Sequence, residues 1–247
     1  MPIFEKYISA CEDAVNNENI FNNFKRISYY QEILEHVTVE QGLDYFNYIK
    51  EKHPYLLENL NKFCDMDLVG NPNILIKIND KLISPTTLRY VKVLGDLIKK
   101  FKDLSSMKII EIGAGYGGQA KVILDKFNVQ NYYCVDLPAV CDLISKYLQK
   151  NNYVINAISD LKDIKHNTWD LCISNYAFSE LPKNLQDDYI ENVFNKSSHG
   201  YITMNFISHL FGIDSYSLDE IKEKLKKDIK IEQEEPYTFT KNCVIYW

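Results

Sequence analysis

Hydrophobic and polar positions change rhythm once along this chain. Up to about residue 105, apolar residues recur mainly at helical spacing; from Met107 onward, short apolar runs alternate with helical stretches. In the first part Phe24, Ile27, Tyr30, Ile33, Leu34 and Val37 share a helical period. Thr38-Val39-Glu40-Gln41 reads as a capping box opening a helix with Leu43, Phe46 and Ile49 on one face. His53-Pro54 ends it, because a residue before proline is pushed out of helical space. Residues 55–63 predict a further short helix. Ser84 and Pro85 predict a sharp helix start, with Leu88, Val91, Leu94, Leu97, Ile98 and Phe101 on its apolar face. Only residues 74–78 have strand character in this part, and 67–73 read as a loop.

The second part predicts strands at 107–112, 131–135, 153–158, 170–174 and 200–206. Helices are expected at about 116–127, 137–148 and 182–194, and from a capping box at 217–220 through Lys227. The chain closes with strands at 229–233 and 242–247. The roughly eight residues between them cannot form a helical crossover, so this last pair should be antiparallel. The alternation argues an α/β fold, a doubly wound Rossmann-like sheet covered on both faces. Residues 1–105 are expected to form a helical cap or substrate region, and 106–247 a ligand-binding domain.

The chemistry centres on Met107 to Ala120, MKIIEIGAGYGGQA. A strand runs directly into a glycine turn and then a helix, so backbone and helix N-terminus can approach a nucleotide-like ligand. Gly113, Gly115 and Gly118 satisfy G-x-G-x-x-G, and Asp136 lies near the ~20-residue offset of a ribose-binding acid. That pattern suits a dinucleotide and equally S-adenosylmethionine (SAM). Three features favour SAM. Glu111 precedes the first glycine as in motif I of the class I methyltransferases. The fifth strand leads to a helix and a terminal hairpin, as in that family's seven-stranded sheet. The turn also follows a long stretch of helical chain.

The resemblance narrows further. Ser84-Pro85-Thr86-Thr87-Leu88-Arg89-Tyr90, the stretch from Glu111 to Gln119, Asp136-Leu137-Pro138 and Ser174-Asn175-Tyr176-Ala177-Phe178-Ser179-Glu180-Leu181 resemble the bacterial sugar O-methyltransferase family. Its members occur among genes for capsule and other surface polysaccharides, and the likeness extends to the C-terminal residues 242–247. It implies a SAM-dependent O-methyltransferase acting on a sugar hydroxyl, with a nucleotide-activated sugar as one form of the acceptor. Alternative readings are a class I methyltransferase of another small acceptor, or a SAM-binding partner without turnover. Nucleic-acid amino methylation is disfavoured, because the fourth strand of this part ends in SNYA rather than an N/D-P-P-Y loop.

Ligands of a doubly wound sheet sit beyond the carboxyl ends of its strands. Expected cofactor residues are Glu111, Gly113, Gly115, Asp136 (ribose), Leu137 (adenine), Ser159 and Asp160 (adenine edge), and Asn175 and Tyr176 (sulfonium). Of five histidines, His166 and His199 precede strands and His36 and His53 lie in the helical part. His209, after the fifth strand, is therefore the first candidate for general base, followed by Glu180. Arg89, Tyr90, Lys25 and Arg26 are expected to meet a charged substrate, since an arginine fork suits a phosphate.

Composition changes this picture only by exclusion. At 247 residues and 46% hydrophobic, the chain can bury a sizeable core. A net charge of -6, with lysines interspersed among acids, disfavours a non-specific nucleic-acid binder. Cys11, Cys64, Cys134, Cys141, Cys172 and Cys243 form no CxxC pair and read as buried reduced thiols, which points to a reducing cytoplasm. The acidic N-terminus does not resemble a signal peptide, and no run approaches the ~20 apolar residues of a membrane span. No HxxxH or Cys/His cluster suggests a metal, and Asp65-Met66-Asp67 reads as a solvated loop. The expected partner is thus a small-molecule sugar, with no nucleic acid and no membrane span; a second copy, as a homodimer, is left open.

Overall fold

The computed structural model describes residues 3–247. Its helical stretch runs through α1 (Ile3–Asn16), α2 (Glu18–Phe21), α3 (Ser28–Ile33), α4 (Val39–Lys52) and α5 (Leu60–Cys64). A hairpin of β1 (Ile76–Ile78) and β2 (Lys81–Ile83) follows, then α6 (Pro85–Phe101). Alternation begins with β3 (Lys108–Ile112), α7 (Gly118–Lys126), β4 (Asn131–Val135), α8 (Pro138–Lys150), β5 (Asn156–Ile158) and β6 (Trp169–Asn175). It ends with α9 (Lys183–Asn192), β7 (Ser197–Met204), α10 (Leu218–Lys224), β8 (Lys230–Gln233) and β9 (Cys243–Tyr246). The chain divides into two compact units. One holds Met1–Leu104, Gly115–Asn128 and Leu137–Val154; the other holds Ser105–Ala114, Val129–Asp136 and Ile155–Trp247.

The second unit is built on a seven-stranded sheet of order β5-β4-β3-β6-β7-β9-β8. β3 pairs parallel with β4 and β6, β4 with β5, and β6 with β7. β9 runs antiparallel between β7 and β8, so the terminal pair is the hairpin that its short connection requires. From β3 the chain steps outward through β4 and β5, then returns to β6 on the other flank. The topological switch point therefore lies at the carboxyl ends of β3 and β6. On one sheet face Ile110, Ile112, Cys172, Ile202, Met204 and Ile245 join Trp169, Phe178, Ile190, Phe194 and Ile221 in a single core. Ile109, Glu111, Tyr132, Cys134, Leu171 and Ile173, which point the other way, are buried too. Burial on both faces is why these strands read as apolar runs rather than alternating ones.

The helical unit departs from expectation in places. Both caps expected there form: Thr38 and Gln41 make a reciprocal capping box on α4, and Ser84 accepts from the Thr87 amide at the start of α6. The apolar run from Phe24 to Val37 is not one helix. It breaks into a 3-10 turn, Phe24–Arg26, and the short α3. Phe24, Tyr30 and Val37 are still buried, so the period reports burial although the backbone is interrupted. β2 is not legible from three residues beside a helix cap. The strand expected at 153–158 shrinks to β5, because Val154 is 96% exposed and the Tyr153 amide closes the end of α8 on the Leu148 carbonyl.

The largest correction concerns Asp67, expected in a solvated loop. It is buried. Its Oδ2 accepts from the Ser84 amide at 2.6 Å, and its Oδ1 from Ser84 Oγ and Thr87 Oγ1 at 3.0 Å each and from Lys25 Nζ at 3.3 Å. One carboxylate thus ties the start of α6 to the 3-10 turn that carries Lys25. All six cysteines are free thiols. Burial pushes the Cys172 thiol up to about 12 and the Cys243 thiol to about 11, which makes both poor nucleophiles at neutral pH. Among the described residues, no helix is long and apolar enough to cross a membrane.

Candidate functional site

The carboxyl edge of the sheet collects acidic and amide side chains around the switch point. Glu111, one residue from the end of β3, is buried, and Tyr132 Oη donates to its Oε2 at 2.8 Å. Burial pushes its carboxyl up to about 8; the nearby Asp136 charge adds to this and the Tyr132 hydrogen bond opposes it. Gly113 begins the turn with φ +69, in the left-handed region. A Cβ placed there would overlap Ala177 Cβ, so only glycine lets the loop after β6 close onto the turn after β3. The Gly113 amide donates to the Val135 carbonyl at 2.8 Å, continuing the pairing between β3 and β4. That amide is therefore engaged within the sheet.

Asp136 follows β4 half-buried, its amide donating to the Ile158 carbonyl at 3.2 Å. Beyond β5, Ser159 and Asp160 are exposed. Asp160 Oδ1 accepts from the Lys162 amide at 2.9 Å and so caps the 3-10 turn Leu161–Ile164.

At the end of β6, Ser174 Oγ donates to the Ile112 carbonyl at 3.2 Å and accepts from the Phe178 amide at 3.2 Å, pinning the loop to β3. Asn175 Oδ1 accepts from Thr203 Oγ1 at 3.3 Å, while its Nδ2 is buried with no hydrogen-bond partner. Tyr176 has φ 67 and ψ -34, a conformation that costs a bulky residue energy and that gathers at functional sites. Its backbone is clamped: the amide donates to the Thr203 carbonyl at 2.8 Å, and its carbonyl accepts from Ser179 Oγ at 2.6 Å. Its hydroxyl donates to Glu234 Oε1 in the connection between β8 and β9.

Of the two groups expected to take a proton, Glu180 is exposed, and its Oε1 accepts from Asn205 Nδ2 at 2.7 Å. Asn205 is itself buried, just past β7, and its amide donates to Ser179 Oγ at 3.1 Å. His209 stands exposed on the 3-10 turn Ser208–Phe211, also beyond the carboxyl end of β7.

The helical unit holds the other half of the glycine turn and the residues expected to meet substrate. Gly115 has Leu34 packed over it, and a Cβ at Gly118 would run into the Tyr90 ring. Tyr116 between them is fully buried, with the rings of Tyr147 at 4.9 Å, Phe24 at 5.7 Å and Tyr90 at 5.9 Å, all edge-on. Leu137 is half-buried at the N-terminus of α8.

Two of the four expected substrate residues are buried. Lys25 has no exposed surface; its Nζ pairs with Asp67, donates to the Met66 carbonyl at 3.2 Å and stands 4.4 Å over the Tyr116 ring. Tyr90 is buried, filling the space over Gly118. Neither faces a ligand from the surface. Arg89 is half-buried, its guanidinium 5.6 Å from the Tyr90 ring centroid. Arg26 is exposed; its Nε donates to Asn73 Oδ1 at 2.6 Å, and it lines an open groove of about 680 Å³ with Lys6, Asp13, Asn19, Asn23 and Tyr29. That groove contains none of the expected cofactor residues.

Sequence reasoning missed three polar residues. Glu35 is buried beside Leu34 with Oε1 unpartnered; burial pushes its carboxyl up to about 7, against the pull of Lys25 and Arg89. Asn205 and Glu234 are buried and hydrogen-bonded in loops. Only their position after strand ends could have marked them. Among the described residues, no group of three or more His, Cys, Asp or Glu is placed to hold a metal.

No family model and no curated protein matches the chain. Solved structures do. A Pyrococcus horikoshii protein aligns with a TM-score of 0.50 at 11% identity, over 64% of this chain and 88% of its own. A SAM-dependent methyltransferase from Clostridium acetobutylicum aligns with a TM-score of 0.49 at 10% identity, over 62% and 87%. Phosphoethanolamine N-methyltransferase 2 of Haemonchus contortus, solved with SAM, aligns with a TM-score of 0.45 at 18% identity, over 57% of this chain and 38% of its own. The strand order and antiparallel final hairpin make this the Rossmann-like fold of the class I SAM-dependent methyltransferases.

Proposed function

We propose that the chain is a SAM-dependent O-methyltransferase that methylates a sugar hydroxyl, with a nucleotide-activated sugar of surface polysaccharide assembly as the acceptor. One observation carries the methyltransferase reading: Glu111, Gly113, Asp136, Asn175 and Tyr176 lie at or just past the carboxyl ends of β3, β4 and β6, along one edge of the sheet. The sheet edge fits the cofactor. Asp136 supplies a carboxylate that keeps some exposure at the end of β4, and Asn175 Nδ2 is an amide donor without a protein partner. The sugar reading is supported by the resemblance of the segments at 84–90 and 174–181.

SAM supplies a methyl group activated by its sulfonium. Asp136 would accept from the ribose hydroxyls, with Leu137 against the adenine and Ser159 and Asp160 at its edge. The turn at 113–115 would hold the methionine end, with Glu111 ordering that turn from below. Asn175 and Tyr176 would face the sulfonium. The acceptor hydroxyl must be held about 3 Å from the methyl carbon and lose its proton. His209 or Glu180 would take that proton, and the orientation of Glu180 is fixed by Asn205.

The test is a screen of nucleotide sugars with SAM, read by mass spectrometry for a gain of one methyl. Asp136→Ala serves as the control and should weaken SAM binding about tenfold or more in calorimetry. Unchanged affinity in that variant would remove the ribose assignment, and a screen that yields methylation only of non-sugar acceptors would remove the sugar.

A further inference from the structure

The terminal hairpin contributes a buried carboxylate that reaches the loop after β6 through Tyr176 and has no part in the proposed chemistry. Glu234 is 2% exposed. Its Oε1 accepts from Tyr176 Oη, and its Oε2 accepts from Thr238 Oγ1 and, at 3.0 Å, from Asn242 Nδ2. The Glu234 amide donates to the Asn242 carbonyl at 3.2 Å, so the loop that carries this carboxylate is itself closed. Three donors fix one side chain, and one of them is the residue with the strained backbone at the end of β6.

Tyr176 is thus held from both ends, by Thr203 and Ser179 along its backbone and by Glu234 at its hydroxyl. The next residue, Ala177, touches the Gly113 turn. Holding a bulky residue at positive φ costs energy, and a hairpin of 230–246 that only closed the sheet would not need it. A phenol that donates its proton to a carboxylate becomes a better acceptor at its own oxygen, and a carboxylate shielded from water projects its charge further than an exposed one. Both effects favour a cation nearby.

We propose that Tyr176 and Glu234 together form the sulfonium-recognition element of this site, with Glu234 as a positioning residue acting through Tyr176. The element selects the positively charged methyl donor over its neutral thioether product. This rests on the methyltransferase reading, and it adds a group that would favour product release, since S-adenosylhomocysteine (SAH) lacks the charge that the element attracts.

The experiment is calorimetric titration of the full chain with SAM and separately with SAH, in wild type, Glu234→Gln and Tyr176→Phe. It needs no acceptor. Both substitutions should weaken SAM about threefold to tenfold while changing SAH less than about twofold, with thermal midpoints recorded for each. Should Glu234→Gln fail to fold, Tyr176→Phe carries the comparison, because it removes only the hydroxyl. Equal losses for SAM and SAH would reduce Glu234 to a hairpin brace and overturn the proposal, as would no loss at all. If wild type binds neither ligand, the methyltransferase reading falls first and takes this inference with it.

Discussion

Thermal stability of the ligand-free protein should fall steadily as pH rises from about 5 to about 8, and Glu111→Gln should remove most of that fall. Burial holds the Glu111 carboxyl up at about 8 in the folded chain, whereas the unfolded chain ionises it near 4.5. Below that lower value both states carry the proton and Glu111 adds no penalty. Between the two values only the unfolded chain is ionised, so unfolding releases a proton and each pH unit withdraws about 1.4 kcal/mol. Above about 8 both states are ionised and the slope disappears. The whole window amounts to on the order of 5 kcal/mol at most, a large share of the roughly 5–15 kcal/mol typical of a domain. Glu35, pushed up to about 7, acts in the same direction and finishes sooner. Glutamine keeps the volume of Glu111 and an oxygen for Tyr132 but cannot ionise. Denaturant midpoints of wild type and Glu111→Gln at pH 5, 6, 7 and 8 would decide it; parallel curves would place the slope elsewhere.

Asp67→Ala should cost about 3–5 kcal/mol, and Lys25→Met distinctly less, because removing one partner of a buried ion pair leaves the other charged and without water. Without Asp67, Lys25 Nζ keeps the Met66 carbonyl, the faces of Tyr116 and Tyr147 and its attraction to the Glu35 carboxyl, and Ser84 and Thr87 lose an acceptor as well. Without Lys25, Asp67 still accepts from Ser84 twice and from Thr87 once. The asymmetry is the informative part, and urea midpoints of the two variants measure it. Equal losses would mean that the pair, rather than the cap of α6, sets the stability of that corner.

Glu111 and Asp67 are not equally legible in the sequence. Glu111 stands out, because a lone acid inside an apolar strand just before a glycine turn is costly to bury without a role. Asp67 does not. Asp65-Met66-Asp67 beside Gly70 and Pro72 has the composition of a solvated turn, and nothing local shows that Ser84, Thr87 and Lys25 converge on one of its oxygens. Lys25 misleads for the same reason: a lysine is rarely fully buried, and the partner that permits it lies 42 residues away. The Tyr176 loop stands between these cases. Its place after a strand is readable, but the carboxylate that fixes its hydroxyl arrives from 58 residues later, on the final hairpin.

Local pattern was enough for the alternation of strands and helices, the antiparallel end, the caps of α4, α6 and α10, and the glycine turn with its acid one strand later. Periods, caps and connection lengths all lie within a few neighbouring residues, so they can be read before anything packs. Contact decides the rest: which glycines are required, Gly113 under Ala177 and Gly118 under Tyr90, which charges are buried, and which polar groups meet at the carboxyl edge. Each of those outcomes depends on atoms brought together from distant parts of the chain. A side chain's burial and partners, unlike its period, are properties of what packs around it.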